Sequence, residues 1–192
     1  MKLYDYFRSG AAYRTRCALH LKGLEFEQSF VHLTRDGGEQ LKPGYVALNP
    51  QMLVPTLIDG GAPITQSMAI MEYLEETRPN PAILPKDPAG RARVRALANI
   101  IACDVHPINN LRVRNYVRDD LKAGPDGMRT WIEKWIHLGL EAYEALVAGN
   151  PATGTFSHGE TPTMADCCLI PQLANGRMFK ISYDRFPTVL RI

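Results

Sequence analysis

Between residues 79 and 88 the chain carries prolines at Pro79, Pro81, Pro85 and Pro88. Each fixes φ and removes a backbone donor, so neither a helix nor a central strand can run through the stretch. It reads as a rigid connector, with a domain boundary near residue 80. The sequence on its two sides differs in kind.

Before the connector the apolar pattern changes period repeatedly. Residues 2–7 alternate loosely and are rich in aromatics, as a short strand is. Arg8-Ser9-Gly10-Ala11-Ala12 then turns into a helix with Tyr13, Cys17, Ala18 and Leu21 on or near one face and Gly23 as its stop. A second strand is predicted over 26–33, and Asp36-Gly37-Gly38 breaks it. An irregular passage leads to Asn49-Pro50, followed by a strand from Leu53 that ends in the hairpin signal Asp59-Gly60-Gly61. A brief strand from Ile64 and a helix over 68–77 complete a small mixed α/β domain, residues 1–79.

Beyond the connector no strand pattern is found. Residues 91–117 predict one long helix kinked by Pro107, and Gly124-Pro125-Asp126-Gly127 a turn. Residues 128–147 predict a helix with Trp131, Trp135, Leu138 and Ala142 as its core stripe. Thr163 and Asp166 have the spacing of an N-cap box opening a buried helix to Leu173. The second domain, residues 86–192, is therefore all-helical.

Charge excludes some functions. Twenty-two basic side chains face 20 acidic ones, a net +2, so nothing points to nucleic acid. Arg91, Arg93 and Arg95 alternate and read as a solvated helix start. Cys17, Cys103, Cys167 and Cys168 show neither Cys-x-x-Cys nor zinc-ligand spacing, and adjacent Cys167 and Cys168 suit buried thiols in a reducing cytoplasm. The N-terminus lacks the apolar run of a signal peptide, and no stretch approaches a membrane span. Phosphate-loop, dinucleotide and His-Glu-x-x-His metal motifs are absent.

Three constellations remain. At Ser9-Gly10-Ala11 a helix start with small side chains offers backbone amides to an anion or thiolate. Val54-Pro55, if its peptide is cis, would turn the Val54 backbone outward for pairing with a peptide, and Gln66-Ser67 offers a second helix start to a carboxylate. In His106-Pro107-Ile108-Asn109-Asn110-Leu111-Arg112, polar groups interrupt a helix that should be buried, with His106, Asn109 and Asn110 near one face. Each also has a purely structural reading: an ordinary turn, a helix cap, a closed hydrogen-bond network. Arg177 reads equally as a surface arginine.

Six segments in order resemble the zeta class of glutathione transferases, the maleylacetoacetate and maleylpyruvate isomerases. They are Phe7-Arg8-Ser9-Gly10-Ala11-Ala12-Tyr13-Arg14-Thr15-Arg16, Asp36-Gly37-Gly38-Glu39-Gln40, Ala47-Leu48-Asn49-Pro50 with Leu53-Val54-Pro55-Thr56-Leu57, Gln66-Ser67, Glu72 to Pro79, and Thr161 to Asp166. The resemblance implies a thioredoxin-like domain followed by an all-α domain, glutathione as cofactor, and a cytoplasmic homodimer. It implies that Gln66 and Ser67 meet the γ-glutamyl carboxylate, that Val54 pairs with the cysteinyl backbone, and that Gln40 helps hold the glycyl end. The sulfur would lie over Ser9, Gly10 and Ala11. The implied reaction is thiolate addition to the cis double bond of a small enedione dicarboxylate, rotation, and expulsion to the trans isomer. Arg8, Arg112 and Arg177 would take carboxylate and enolate charge, and His106 and Asn110 would bind or polarise the oxygens. The stretch from His106 to Arg112 looks more like the bacterial maleylpyruvate version than the animal maleylacetoacetate one.

Two departures stand out. The class shows Ser-Ser-Cys where this chain has Ser9-Gly10-Ala11, which removes a hydroxyl and a thiol from the sulfur site. The family pattern also continues past Ile192 into a further helix or two. Conjugation or dehalogenation of other small electrophiles, and glutathione binding without turnover, are the competing readings.

Overall fold

Strand β1 (Lys2–Asp5) lies inside a four-stranded sheet of order β2-β1-β3-β4, parallel to β2 (Glu27–Phe30) and antiparallel to β3 (Thr56–Ile58), which pairs in turn with β4 (Ile64–Thr65). Between β1 and β2 runs α1 (Gly10–Leu21), as a parallel pair requires a crossover. The short α2 (Pro43–Val46) precedes β3, and α3 (Ser67–Thr77) follows β4. The computed structural model describes residues 1–192 and divides into two compact units, Met1–Ile83 and Leu84–Ile192. The first is the thioredoxin-like α/β fold.

Strand alternation sorts its two faces. Leu3 and Leu57, opposite each other in register, bury completely against Leu19 of α1 and Ile70 and Leu74 of α3. On the other face Tyr6, Val31, Tyr45 and Val54 form a second cluster, with Tyr4 packed edge-on to Tyr45 at 5.9 Å. Polar anchors lock the helices down. Asp5, fully buried, accepts twice from Arg16 at 2.6 Å and once from Gln28 at 3.0 Å. Lys22, at the end of α1, donates to Glu75 of α3 at 2.7 Å and to the carbonyls of Arg78 and Pro81, while Glu75 accepts from the Ile83 N–H. The proline-rich stretch up to Ile83 is thereby tied to this unit.

The second unit is all-helical. It holds α4 (Pro88–Asn99), α5 (Leu111–Asn115), α6 (Gly124–Val147), α7 (Met164–Arg177) and α8 (Pro187–Arg191). The single kinked helix expected over 91–117 is instead broken. After α4 the chain widens into a π turn, Ile100–Val105, closed by the His106 N–H on the Ile101 carbonyl at 2.8 Å. A 3₁₀ turn, Pro107–Asn109, follows, and Asn110 caps a new helix by accepting from the Val113 N–H. Pro107 supplies no donor to continue the ladder, so the chain restarts rather than bends.

Three further expectations are corrected. Residues 124–127 are the first turn of α6, because Pro125 sits where a helix tolerates proline. The core stripe of α6 is Ile132, Ile136, Leu140, Tyr143 and Val147; Leu138 is exposed, and Trp131 and Trp135 are half-buried, stacked edge-on at 5.6 Å. Gly139 lets this face approach closely, since a Cβ there would overlap Val105. Arg93 is no solvated helix start: it donates to the carbonyls of Ser157 and Leu146 and to Thr153, and meets His158 Nδ1 at 3.2 Å.

The box at Thr163 and Asp166 forms as the spacing predicts. Asp166 accepts from the Thr163 N–H and hydroxyl and, through its other oxygen, from the Ser157 N–H. Cys167 and Cys168 are both buried thiols. The polar face of α6 grips the chain beyond α7. Arg129 donates to the Phe179 carbonyl, His137 Nε2 meets that of Ser182, Glu141 pairs with Arg185, and Glu144 accepts from the Thr188 and Val189 N–H groups. No helix is long and apolar enough to cross a membrane.

Candidate active site

In the first unit the predicted groups fall at three helix or strand starts. Ser9 is the N-cap of α1, its Oγ accepting from the Ala12 N–H at 3.2 Å. That bond engages an oxygen lone pair and leaves the hydroxyl proton available to another acceptor. Gly10 and Ala11 open the helix, where the first amides lack intrahelical partners. Arg8 is exposed just ahead of them.

The Val54–Pro55 peptide is cis. The residue before it is held by two donors on one carbonyl: the Tyr45 hydroxyl at 2.6 Å and the Asn49 amide at 2.7 Å both reach the Leu53 oxygen. Asn49 is itself buried and accepts from the Gln51 N–H, which closes the Asn49-Pro50 turn. Neither the Val54 N–H nor its C=O has a hydrogen-bond partner in the chain. This is a rigidly presented, unused backbone pair, the requirement for adding an extended peptide.

Gln66 precedes α3 with φ 67° and caps it without a side-chain bond; Ser67 is the first helical residue, so it is not the cap the sequence suggested. The left-handed conformation costs a non-glycine residue about 1–3 kcal/mol, and such strain persists where the surroundings enforce it. The Gln66 amide donates to Gln51 at 2.6 Å. Gln40 donates to the Leu33 carbonyl at 3.3 Å, and its Oε1 is buried without a partner. Gly38 (φ 108°) makes room for that amide: a Cβ there would crowd it at 2.7 Å.

These observations test the fit of a γ-glutamyl tripeptide. An unused backbone pair at Val54, a helix start for a carboxylate at Ser67, an orphaned acceptor at Gln40 and a capped helix start for a thiolate at Ser9 fit its parts. Two hollows on this unit's surface, of about 410 and 820 Å³, are lined by other residues, among them Tyr4 and Phe30 in one and His20 and Phe26 in the other.

In the second unit His106 ends the π turn, and Asn110 caps α5. Asn109, 9% exposed, donates to the Val105 carbonyl while its Oδ1 has no partner. Arg112 and Arg177 are exposed, the latter on the last turn of α7. Arg177 lies near enough to Tyr183 to act on its phenol, which burial pushes up to about 12 against the pull of that cation.

Comparison with known proteins agrees with this geometry. Residues 1–76 match the family described as glutathione S-transferase, N-terminal domain. The maleylpyruvate isomerase of a Ralstonia species is 48% identical, over 98% of this chain and 88% of that protein. The chain belongs to the zeta class of glutathione S-transferases. The solved holo structure of a bacterial zeta-class maleylpyruvate isomerase matches with a TM-score of 0.96 at 48% identity, covering 100% of this chain and 89% of that one. The maleylacetoacetate isomerase of Methylobacterium extorquens AM1, solved with bound malonate and glutathione, matches with a TM-score of 0.95 at 41% identity, covering 100% and 89%.

Sequence reasoning missed Tyr45, whose hydroxyl holds the Leu53 carbonyl beside Val54. It carries no motif signal of its own, and only its burial and bonding reveal it.

Proposed function

We propose that this chain is a glutathione-dependent cis–trans isomerase acting on a small enedione dicarboxylate, maleylpyruvate in preference to maleylacetoacetate. The unused Val54 backbone pair, held by the Tyr45 and Asn49 bonds to the Leu53 carbonyl, carries the reading. Glutathione is held by Val54, Gln66, Ser67 and Gln40, with Ser9, Gly10 and Ala11 at its sulfur. When bound it supplies a nucleophilic thiolate that adds reversibly to the double bond and is regenerated.

The chain's own residues do the rest. The Ser9 hydroxyl, its lone pair engaged by Ala12, donates to the sulfur and favours the ionised form. With Gly10 and Ala11 in place of side-chain donors, the α1 amides share that role. Arg8, Arg112 and Arg177 bind the two carboxylates and offset the negative charge that develops on the carbonyl oxygen during addition. His106 and Asn110 orient the substrate oxygens; the Asn110 Oδ1 is committed to the helix cap, so its NH₂ is the available donor. The enzyme works as a cytoplasmic homodimer.

The test is loss of cis-maleylpyruvate absorbance with glutathione present, with maleylacetoacetate run in parallel. Conversion to the fumaryl isomer with glutathione recovered unchanged is expected. If neither acid is converted by protein that binds glutathione, the isomerase reading fails and conjugation of another electrophile takes its place.

A further inference from the structure

Arg177 sits on a helix end built with unusual care. The carbonyl of Gly176 accepts from the N–H groups of Phe179 and Ile181, and that of Arg177 from Lys180, with Lys180 left-handed at φ 58°. This is the Schellman arrangement, in which a residue past the helix turns back to satisfy the last carbonyls. Here that residue is lysine rather than glycine, so the turn is held from outside. The Tyr183 hydroxyl crosses over the last turn and donates to the Leu173 carbonyl at 2.9 Å, a path open only because residue 176 has no Cβ.

Two arginines converge on the next residue. Arg129 of α6 donates through Nε to the Phe179 carbonyl at 3.2 Å and lies 3.8 Å from Glu133 one turn along. Arg114 of α5 stacks its guanidinium over the Phe179 ring at 5.0 Å. One grips the backbone of Phe179 and the other its side chain, so translation and rotation of the turn are both restrained. The Arg129 ion pair with Glu133 is solvent-exposed, not buried.

We propose that Arg129 and Arg114 are positioning residues for Arg177: by fixing Phe179 they set where α7 presents its last guanidinium to a substrate carboxylate. The inference rests on Arg177 as a carboxylate ligand. Positioning matters steeply, because a misplacement of about 1 Å can cost roughly a hundredfold where geometry is demanding.

The test measures malonate affinity by calorimetry in saturating glutathione at constant ionic strength, alongside the affinity for glutathione itself. Arg129→Met and Arg114→Met should each weaken malonate about tenfold, with glutathione unchanged within about twofold. Arg129→Lys, which keeps a donor for the carbonyl, should recover most of the loss. On an Arg177→Met background, Arg129→Met should add nothing further; an additional loss would show that Arg129 binds the anion directly and overturn the positioning role. If Arg177→Met alone leaves malonate affinity intact, the assignment of Arg177 fails. If Arg177→Met weakens binding but Arg129→Met and Arg114→Met do not, the positioning inference alone fails.

Discussion

Replacing Ser9 separates the capping job its oxygen performs from the sulfur-binding job proposed for it. As N-cap, its Oγ satisfies the Ala12 N–H at 3.2 Å, a role whose loss to alanine costs about 1 kcal/mol and whose loss to glycine costs only a few tenths. In the proposed role of donor to the glutathione sulfur, its hydroxyl stands at a turn whose next two residues, Gly10 and Ala11, carry no side-chain donor. Loss of such a donor costs about 10²–10³ in rate, or roughly 2.7–4 kcal/mol. Ser9→Ala should therefore lower both melting temperature, by about 2–4 °C, and kcat/KM. Ser9→Gly should keep the melting temperature nearly unchanged yet lose the same rate, and Ser9→Thr should retain both. The pH at which the bound thiol ionises, followed by thiolate absorbance, should rise in the alanine and glycine variants alike. If Ser9→Gly turned over within about twofold of the parent with that pH unmoved, the hydroxyl would have no part in the chemistry. The α1 amides would then carry the sulfur alone.

Lys22→Met should destabilise the protein by about 3–5 kcal/mol, because Glu75 is left charged and buried; urea unfolding checks this, and adding Glu75→Leu should restore a large part. Arg93→Met should cost about 2–3 kcal/mol and strip amide-exchange protection from residues 150–160, while Arg93→Lys recovers little because an ammonium cannot span four partners. At alkaline pH Tyr183, pushed up to about 12 by burial, keeps its proton in the folded protein. Its contribution is fully present below the ordinary phenol value and is lost as pH rises through about 12, so absorbance at 295 nm should show its ionisation coinciding with unfolding. In acid the opposite holds for Glu144. Burial raises its pKa, but the bonds from Thr188 and Val189 outweigh that and depress it. The anchoring of α8 is therefore present above the ordinary carboxylate range and lost as pH falls through the depressed value, visible as amide exchange at residues 187–191 and removed as a transition by Glu144→Gln.

The first unit was largely legible because its strands alternate and its turns carry Gly, Asn and Pro at the positions that need them. Ser9, Val54 and Gln66 could be singled out for the same reason: each stands at a local break in pattern. The second unit was less so. Pro107 announced a disruption but not its form, since whether a helix bends or restarts depends on whether a cap such as Asn110 is at hand. The stripe of α6 was misplaced by one residue. Trp131 and Trp135 are the largest apolar groups there, yet Ile132 and Ile136 are the buried ones, and Gly139 leaves room for the Val105 side chain. Arg93 misled for a related reason, because nothing in its own neighbourhood of sequence says that residues 146–158 return to it. Contacts of that range have no periodicity to read.

The hold that Lys22 and Glu75 exert beyond α3 bears on where this protein can be recombined with its relatives. A junction at residue 79 would look natural, falling among prolines after the last helix of the first half. It would nonetheless leave the relative's chain to place two backbone partners of that pair, the carbonyl at 81 that the ammonium reaches and the N–H at 83 that its carboxylate partner accepts. A chimera joined after Ile83 carries the whole electrostatic knot with it. The four residues between the two junctions decide whether a grafted helical half inherits a sound neighbour or one with a charge adrift in its core.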